Sequence, residues 1–146
     1  MNTTFLLFTI LIATTMNALS QDLSSHQWED RLVLILTDDT NSTKYQEQIE
    51  ELYSNPEGLN DRKLVIYTVL PNKFMRDDRE SKGWITSDEL YLKYKKSKGS
   101  FEILLIGLDG GVKLRQSEFL LNEDLFGRID QMPMRRNELR NRGDGS

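Results

Sequence analysis

An α/β fold with a mixed central sheet is what this sequence predicts, on three observations. Leu32-Val33-Leu34-Ile35-Leu36 is an unbroken apolar run, the pattern of a strand buried on both faces. A helical repeat and a β-branched run follow it, in the order of a parallel crossover unit. Asp109-Gly110-Gly111 then joins two short strand-like runs as a tight antiparallel hairpin would.

Each element can be argued in turn. Thr43 and Gln46 have capping-box spacing, and Tyr45, Ile49, Leu52 and Tyr53 recur at helical intervals, so a helix is predicted over 43–53. Asn55-Pro56-Glu57-Gly58 reads as its stop. Lys63 to Val69, rich in β-branched residues, is the second strand. Seven of the ten residues 73–82 are charged (Lys73, Arg76, Asp77, Asp78, Arg79, Glu80, Lys82), between Pro71 and Gly83. Such a stretch cannot bury itself, so a solvated loop is expected from Leu70 to Trp84. Thr86 and Glu89 form a second capping box for a helix to about Lys95, with Leu90, Tyr91 and Tyr94 on one side.

Glu102 to Gly107 is the third strand, and the glycines after it supply the positive φ angles of the turn. Val112-Lys113-Leu114-Arg115 alternates strictly, which sends Val112 and Leu114 to the core and Lys113 and Arg115 outward together. Asn122 caps a last helix whose apolar stripe is Leu125, Phe126, Ile129 and Met132, and Pro133 closes it. A basic tail with Arg135, Arg136, Arg140 and Arg142 follows, and residues 143–146 are expected to be disordered. The resulting order, β-α-β-α-β-β-α, is the connectivity of the thioredoxin-like fold. Where such folds carry a reactive cysteine pair this chain reads Thr37-Asp38-Asp39-Thr40-Asn41-Ser42. The loop entering the third strand, Lys98-Gly99-Ser100-Phe101, lacks the usual proline. The fold is predicted without its redox chemistry.

Composition narrows the chemistry further. The 146 residues carry a formal charge of −4, one histidine and no cysteine. Thiol nucleophiles, disulfides, iron–sulfur clusters and Cys- or His-pair metal sites are therefore excluded, and neither metal nor cofactor is expected. The acidic balance argues against a nucleic-acid binder. Residues 1–20 hold no charged side chain, Phe5 to Ala13 is mostly Phe, Leu and Ile, and Ala18-Leu19-Ser20 suits a signal peptidase. A cleaved signal peptide, one domain over 21–142 and a periplasmic or extracellular address are the expectations, with no membrane span after cleavage.

Among chemistry-bearing residues, Asp38-Asp39 could serve as acid and base, bind a divalent cation, or simply decorate a strand-to-helix loop. Asp77-Asp78 sits among arginines that neutralise it. His26 lies outside the predicted core and reads as a surface residue. Asp109-Gly110-Gly111 joins two strands, whereas a phosphate loop must open a helix, so it is a turn. Met132 and Met134 read as core filling. Lys113, Arg115, Arg135 and Arg136 could converge as an anion-binding patch with Asp130 as an internal partner; alternatively each Arg pairs with a local acid such as Asp130 or Glu138.

Three blocks carry a family resemblance: Trp28-Glu29-Asp30-Arg31-Leu32-Val33-Leu34, the run from Gly99-Ser100-Phe101 to Leu114-Arg115, and the run from Leu125-Phe126-Gly127 to Arg136-Asn137-Glu138. Together they resemble the DUDES domain, a family catalogued as a domain of unknown function. It occurs in short exported bacterial proteins and in modules of extracellular-matrix and sushi-repeat proteins. Leu108, where that family usually has Lys, departs from the pattern. The resemblance implies a thioredoxin-like fold, an extracellular setting and adhesion or partner binding. Two functions follow as expectations. One is a non-redox module that binds a protein partner or an anionic glycan or peptide. The other is a small hydrolase or transferase with Asp38 or Asp39 as base and Arg as clamp.

Overall fold

The computed structural model describes residues 21–78 and 80–144; the expected signal segment, 1–20, lies outside them. A single helical turn, α1 (Gln21–Ser24), precedes β1 (Arg31–Thr37), α2 (Thr43–Tyr53), α3 (Pro56–Asp61) and β2 (Leu64–Leu70). Then come β3 (Lys73–Arg76), β4 (Ile85–Thr86), α4 (Glu89–Tyr94), β5 (Phe101–Ile106), β6 (Val112–Gln116), α5 (Asn122–Asp130) and α6 (Pro133–Gly143). The strands make one sheet in the order β4-β3-β2-β1-β5-β6. β1 runs parallel to β2, and every other neighbouring pair is antiparallel. The central β2-β1-β5-β6 set with its helices is a thioredoxin-like α/β fold, and the chain has no cysteine.

The unbroken apolar run of β1 follows from its place at the sheet's centre, where every one of its residues is buried. Val33 and Ile35 face one side with Ile66, Ile103 and Leu105, covered by Tyr45 and Leu52 of α2, Leu59 of α3 and Leu125, Phe126 and Ile129 of α5. Leu32, Leu34 and Leu36 face the other with Tyr67, Val69 and Leu104, covered by Leu90, Tyr91 and Tyr94 of α4 and by Leu23. A polar latch joins α2 to the segment that leads into α5. The buried Gln48 amide donates to the Leu120 carbonyl at 2.9 Å and accepts its N–H at 2.8 Å.

Several expectations are corrected. The segment read as a solvated loop contains β3, which pairs with β2 on one side and β4 on the other and buries Phe74; in an alternating strand one apolar side chain is enough to seat it in the sheet. α2 does end at Tyr53, before the predicted stop at Asn55-Pro56, but Pro56 also opens α3 at its first position, with the Asn55 side chain accepting the Gly58 N–H at 2.8 Å. Pro133 likewise opens α6, so the basic tail is helical to Gly143. The caps shift as well. Ser42, not Thr43, caps α2; Thr86 lies in β4; and Asn122, inside α5, turns back to donate to the Glu51 carbonyl of α2 at 2.5 Å.

His26 is buried, not on the surface, its ring nitrogens lying 2.7 Å from Asp30 Oδ2 and 2.9 Å from the Tyr67 hydroxyl. In β6 a bulge opposite Leu105 and Ile106 breaks the alternation: Leu105 faces Leu114 while Ile106 faces Val112, and Lys113 is the extra residue. Val112 is consequently 43% exposed rather than in the core. Met132 packs on the core as expected, but Met134 is exposed.

Candidate functional site

The loop after β1, where a redox member of this fold would carry its thiols, is built on hydrogen bonds internal to the chain. Thr37 Oγ1 accepts the Asp39 N–H at 3.2 Å, and Asp39 Oδ1 accepts the Asn41 N–H at 2.8 Å. Asp38 Oδ1 accepts the hydroxyl of Tyr91, from α4, at 2.5 Å. Burial, and then the neighbouring Asp38 carboxylate, push that hydroxyl up to about 12, so it remains a donor at neutral pH. Both carboxylates of the pair thus serve the loop and its attachment to α4.

The bulge separates the two cations that strict alternation would have put side by side. Arg115 lies opposite Leu104 and donates to the Tyr94 carbonyl at 2.7 Å and to Glu102. Glu102 is buried; burial alone would raise its carboxyl, but the N–H groups of Ser97 and Lys96 and the Arg115 guanidinium outweigh it and bring it to about 2. Lys113 turns instead toward the β5–β6 turn, its Nζ 2.7 Å from Asp109 Oδ2. Arg136 is exposed and donates to the Gln131 carbonyl. The four cations are therefore not brought to one place.

Arg135 has the most demanding environment of the four. Only 1% exposed, it donates to Asp130 Oδ1 at 3.2 Å, to Glu138 Oε2 at 3.2 Å, to the Asp61 carbonyl at 3.0 Å and to the Asp61 carboxylate. Arg62 grips Asp130 through two nitrogens, at 3.0 and 2.6 Å, and lies over the Phe126 ring. Arg31, also 1% exposed, reaches Glu138 Oε1 at 3.0 Å and the Arg62 carbonyl at 3.0 Å. With Arg142, which also binds the Asp61 carboxylate, four arginines and three carboxylates from β1, α3 and its C-cap, α5 and α6 form one network that fixes α6 on the body. The Asp130 and Glu138 carboxyls are held below their ordinary values, the charged hydrogen bonds outweighing burial, which alone would raise them. Pairing of Arg135 with Asp130 and Glu138 was legible from the spacing. Its link to Arg31 and Asp61, more than 70 residues away in the chain, was not.

Three features bear on what the site can hold. Among the described residues, no group of three or more His, Asp or Glu side chains is arranged to hold a metal ion. No helix among them is long and apolar enough to cross a membrane. Trp28, 59% exposed, holds a left-handed φ of 69° with its N–H bonded to the Leu108 carbonyl at 2.7 Å, a costly conformation for a bulky residue. Comparison with known proteins adds one match: the family model described as a domain of unknown function (DUF4174) fits residues 22–138. No curated protein and no solved structure matches the chain. With a match over most of its length, the chain belongs to the DUF4174 family of domains of unknown function.

Proposed function

We propose that the chain is an exported, non-redox thioredoxin-like module that works by binding a partner or an anionic ligand and not by catalysis. One observation carries this reading. The Asp38-Asp39 pair follows the C-terminal end of β1, whereas the network of Arg31 and Arg135 sits at its N-terminal end. Seven residues of extended chain, about 20 Å, separate them. A hydrolase or transferase would need its base and its arginine clamp around one reacting atom. Of the four candidate cations, Arg115 is the one toward the Asp38 end, and its guanidinium is bound to Glu102. The resemblance to DUDES modules of matrix and sushi-repeat proteins supports an extracellular setting, as does the uncharged, apolar stretch at the start of the chain.

Turnover and processing test the two halves of this proposal. The chain and its Asp38→Asn/Asp39→Asn variant, offered p-nitrophenyl phosphate, sulfate and acetate, are expected to show the same background rate. Turnover that disappears in a folded variant would establish the enzyme instead. Mass spectrometry of the protein made with its first twenty residues is expected to find it outside the cytoplasm, beginning at Gln21. An unprocessed chain retained in the cytoplasm contradicts export.

A further inference from the structure

A cavity of about 300 Å³ lies at the Arg31 end of β1, between the β5–β6 turn and the junction of α5 with α6. Its walls combine apolar side chains with charged ones, among them Lys113 and Asp109, which pair with each other. Leu108, Met132, Pro133 and Met134 give it an apolar lining, and Arg31 and Lys113 stand in the same wall. Arg31 is the informative residue. Its terminal nitrogens are committed to Glu138 and to the Arg62 carbonyl, yet its buried Nε–H has no acceptor among the described residues. A buried donor of a charged group left unmatched costs free energy that folding alone does not explain.

Two further features of the same wall point to the missing acceptor. The 11-residue helix α6 begins here, with Met132 at its cap making no side-chain cap hydrogen bond and Pro133 at the first position. Its first turn offers the Met134 and Arg135 N–H groups, since Pro133 has none and the Arg136 N–H bonds the Met132 carbonyl at 3.0 Å, and its dipole favours negative charge at this end. Lys113, delivered by the β6 bulge, adds an ammonium group, shared at present with Asp109. The nearby Asp109 and Glu138 carboxylates limit how much negative charge the cavity accepts. One open guanidinium donor suits one carboxylate oxygen better than a dianion.

We infer that this cavity binds a small monocarboxylate with an apolar body, its head on Arg31 Nε–H and the start of α6 and its body against Leu108 and the methionines. The assignment deepens the binding-module reading, on which it rests, by naming a ligand class. At about 300 Å³ the cavity is at the small end of ligand sites, large enough for a short aliphatic or single-ring acid.

Titration of the full chain with sodium hexanoate, followed through the ¹⁵N-edited Arg31 Nε–H resonance, tests it, with hexanol, phosphate and sulfate as parallel probes. Saturable movement of that resonance by hexanoate alone is expected. Met134→Asp should weaken binding at least tenfold while leaving the melting temperature unchanged or higher, because an acid at the exposed second position of a helix is favourable there. Equal binding of hexanol overturns the head-group assignment. Binding of phosphate or sulfate in preference to hexanoate overturns the monocarboxylate class but leaves an anion-binding module. No movement with any probe means that a water molecule alone satisfies Arg31 and overturns the site. The binding-module reading itself fails on a different result, Asp38- or Asp39-dependent turnover.

Discussion

The two ends of β1 contrast in what their charges do. At the C-terminal end, Asp38 and Asp39 are exposed, Asp39 accepting a loop N–H and Asp38 the hydroxyl of Tyr91 from α4. At the N-terminal end, Arg31 and Arg135 are buried in a network joining four elements, beside a cavity and an exposed Trp28. Redox members of this fold do their chemistry at the first of these ends. Here that end carries no thiol and holds the buried Glu102 with Arg115, while the larger arginine network sits at the other. A shared fold therefore does not imply a shared working end.

Four substitutions or conditions would break or sharpen the contrast. The largest effect is expected from Arg135→Met, which removes the buried guanidinium shared by Asp61, Asp130 and Glu138 and leaves each with its other arginine. A loss of roughly 3–5 kcal/mol in urea unfolding is expected, and less than 1 kcal/mol would mean that the network is ornamental.

Acid comes next. Glu102 titrates near 2 when folded against an ordinary 4.5, and Asp61, Asp130 and Glu138 are also depressed. Groups lowered on folding stabilise above their ordinary values and lose that contribution as pH falls through their folded ones. Stability should hold down to about pH 5 and decline toward pH 2, with Glu102 alone accounting for about 3 kcal/mol of that loss. A urea midpoint flat across that range contradicts the charged hydrogen bonds. Asn122→Ala, which removes the amide bonded to the Glu51 and Leu52 carbonyls, should cost about 1–2 kcal/mol. Tyr91→Phe, at the exposed Asp38 loop, should cost about 0.5 kcal/mol or less. A reversal of that last pair in size would relocate the molecule's rigid end.

What could be read in advance followed where side chains carry apolar periodicity. The runs of β1, β2 and β5, the bounds of α2 and the stripe of α5 depend on residues that face a core. α6 escaped because the residue it buries is Arg135; a helix docked by charge has no apolar stripe, and its opening proline resembles a stop. α3 escaped through the same ambiguity at Pro56. The burial of His26 depends on Tyr67, 41 residues away, and the position of Lys113 depends on a bulge that no local pattern announces. The cavity escaped for a related reason, since its key donor is left open only because Glu138, 107 residues away, takes the other end of Arg31.

The central claim, that the working end is the Arg31 end, is most directly tested by mapping backbone amide shifts during a hexanoate titration of the full chain. The account predicts shifts concentrated at Arg31, Leu108, Lys113 and the start of α6, with the 38–42 loop silent. Shifts centred on Asp38 and Asp39, with the Arg31 end unmoved, would contradict it.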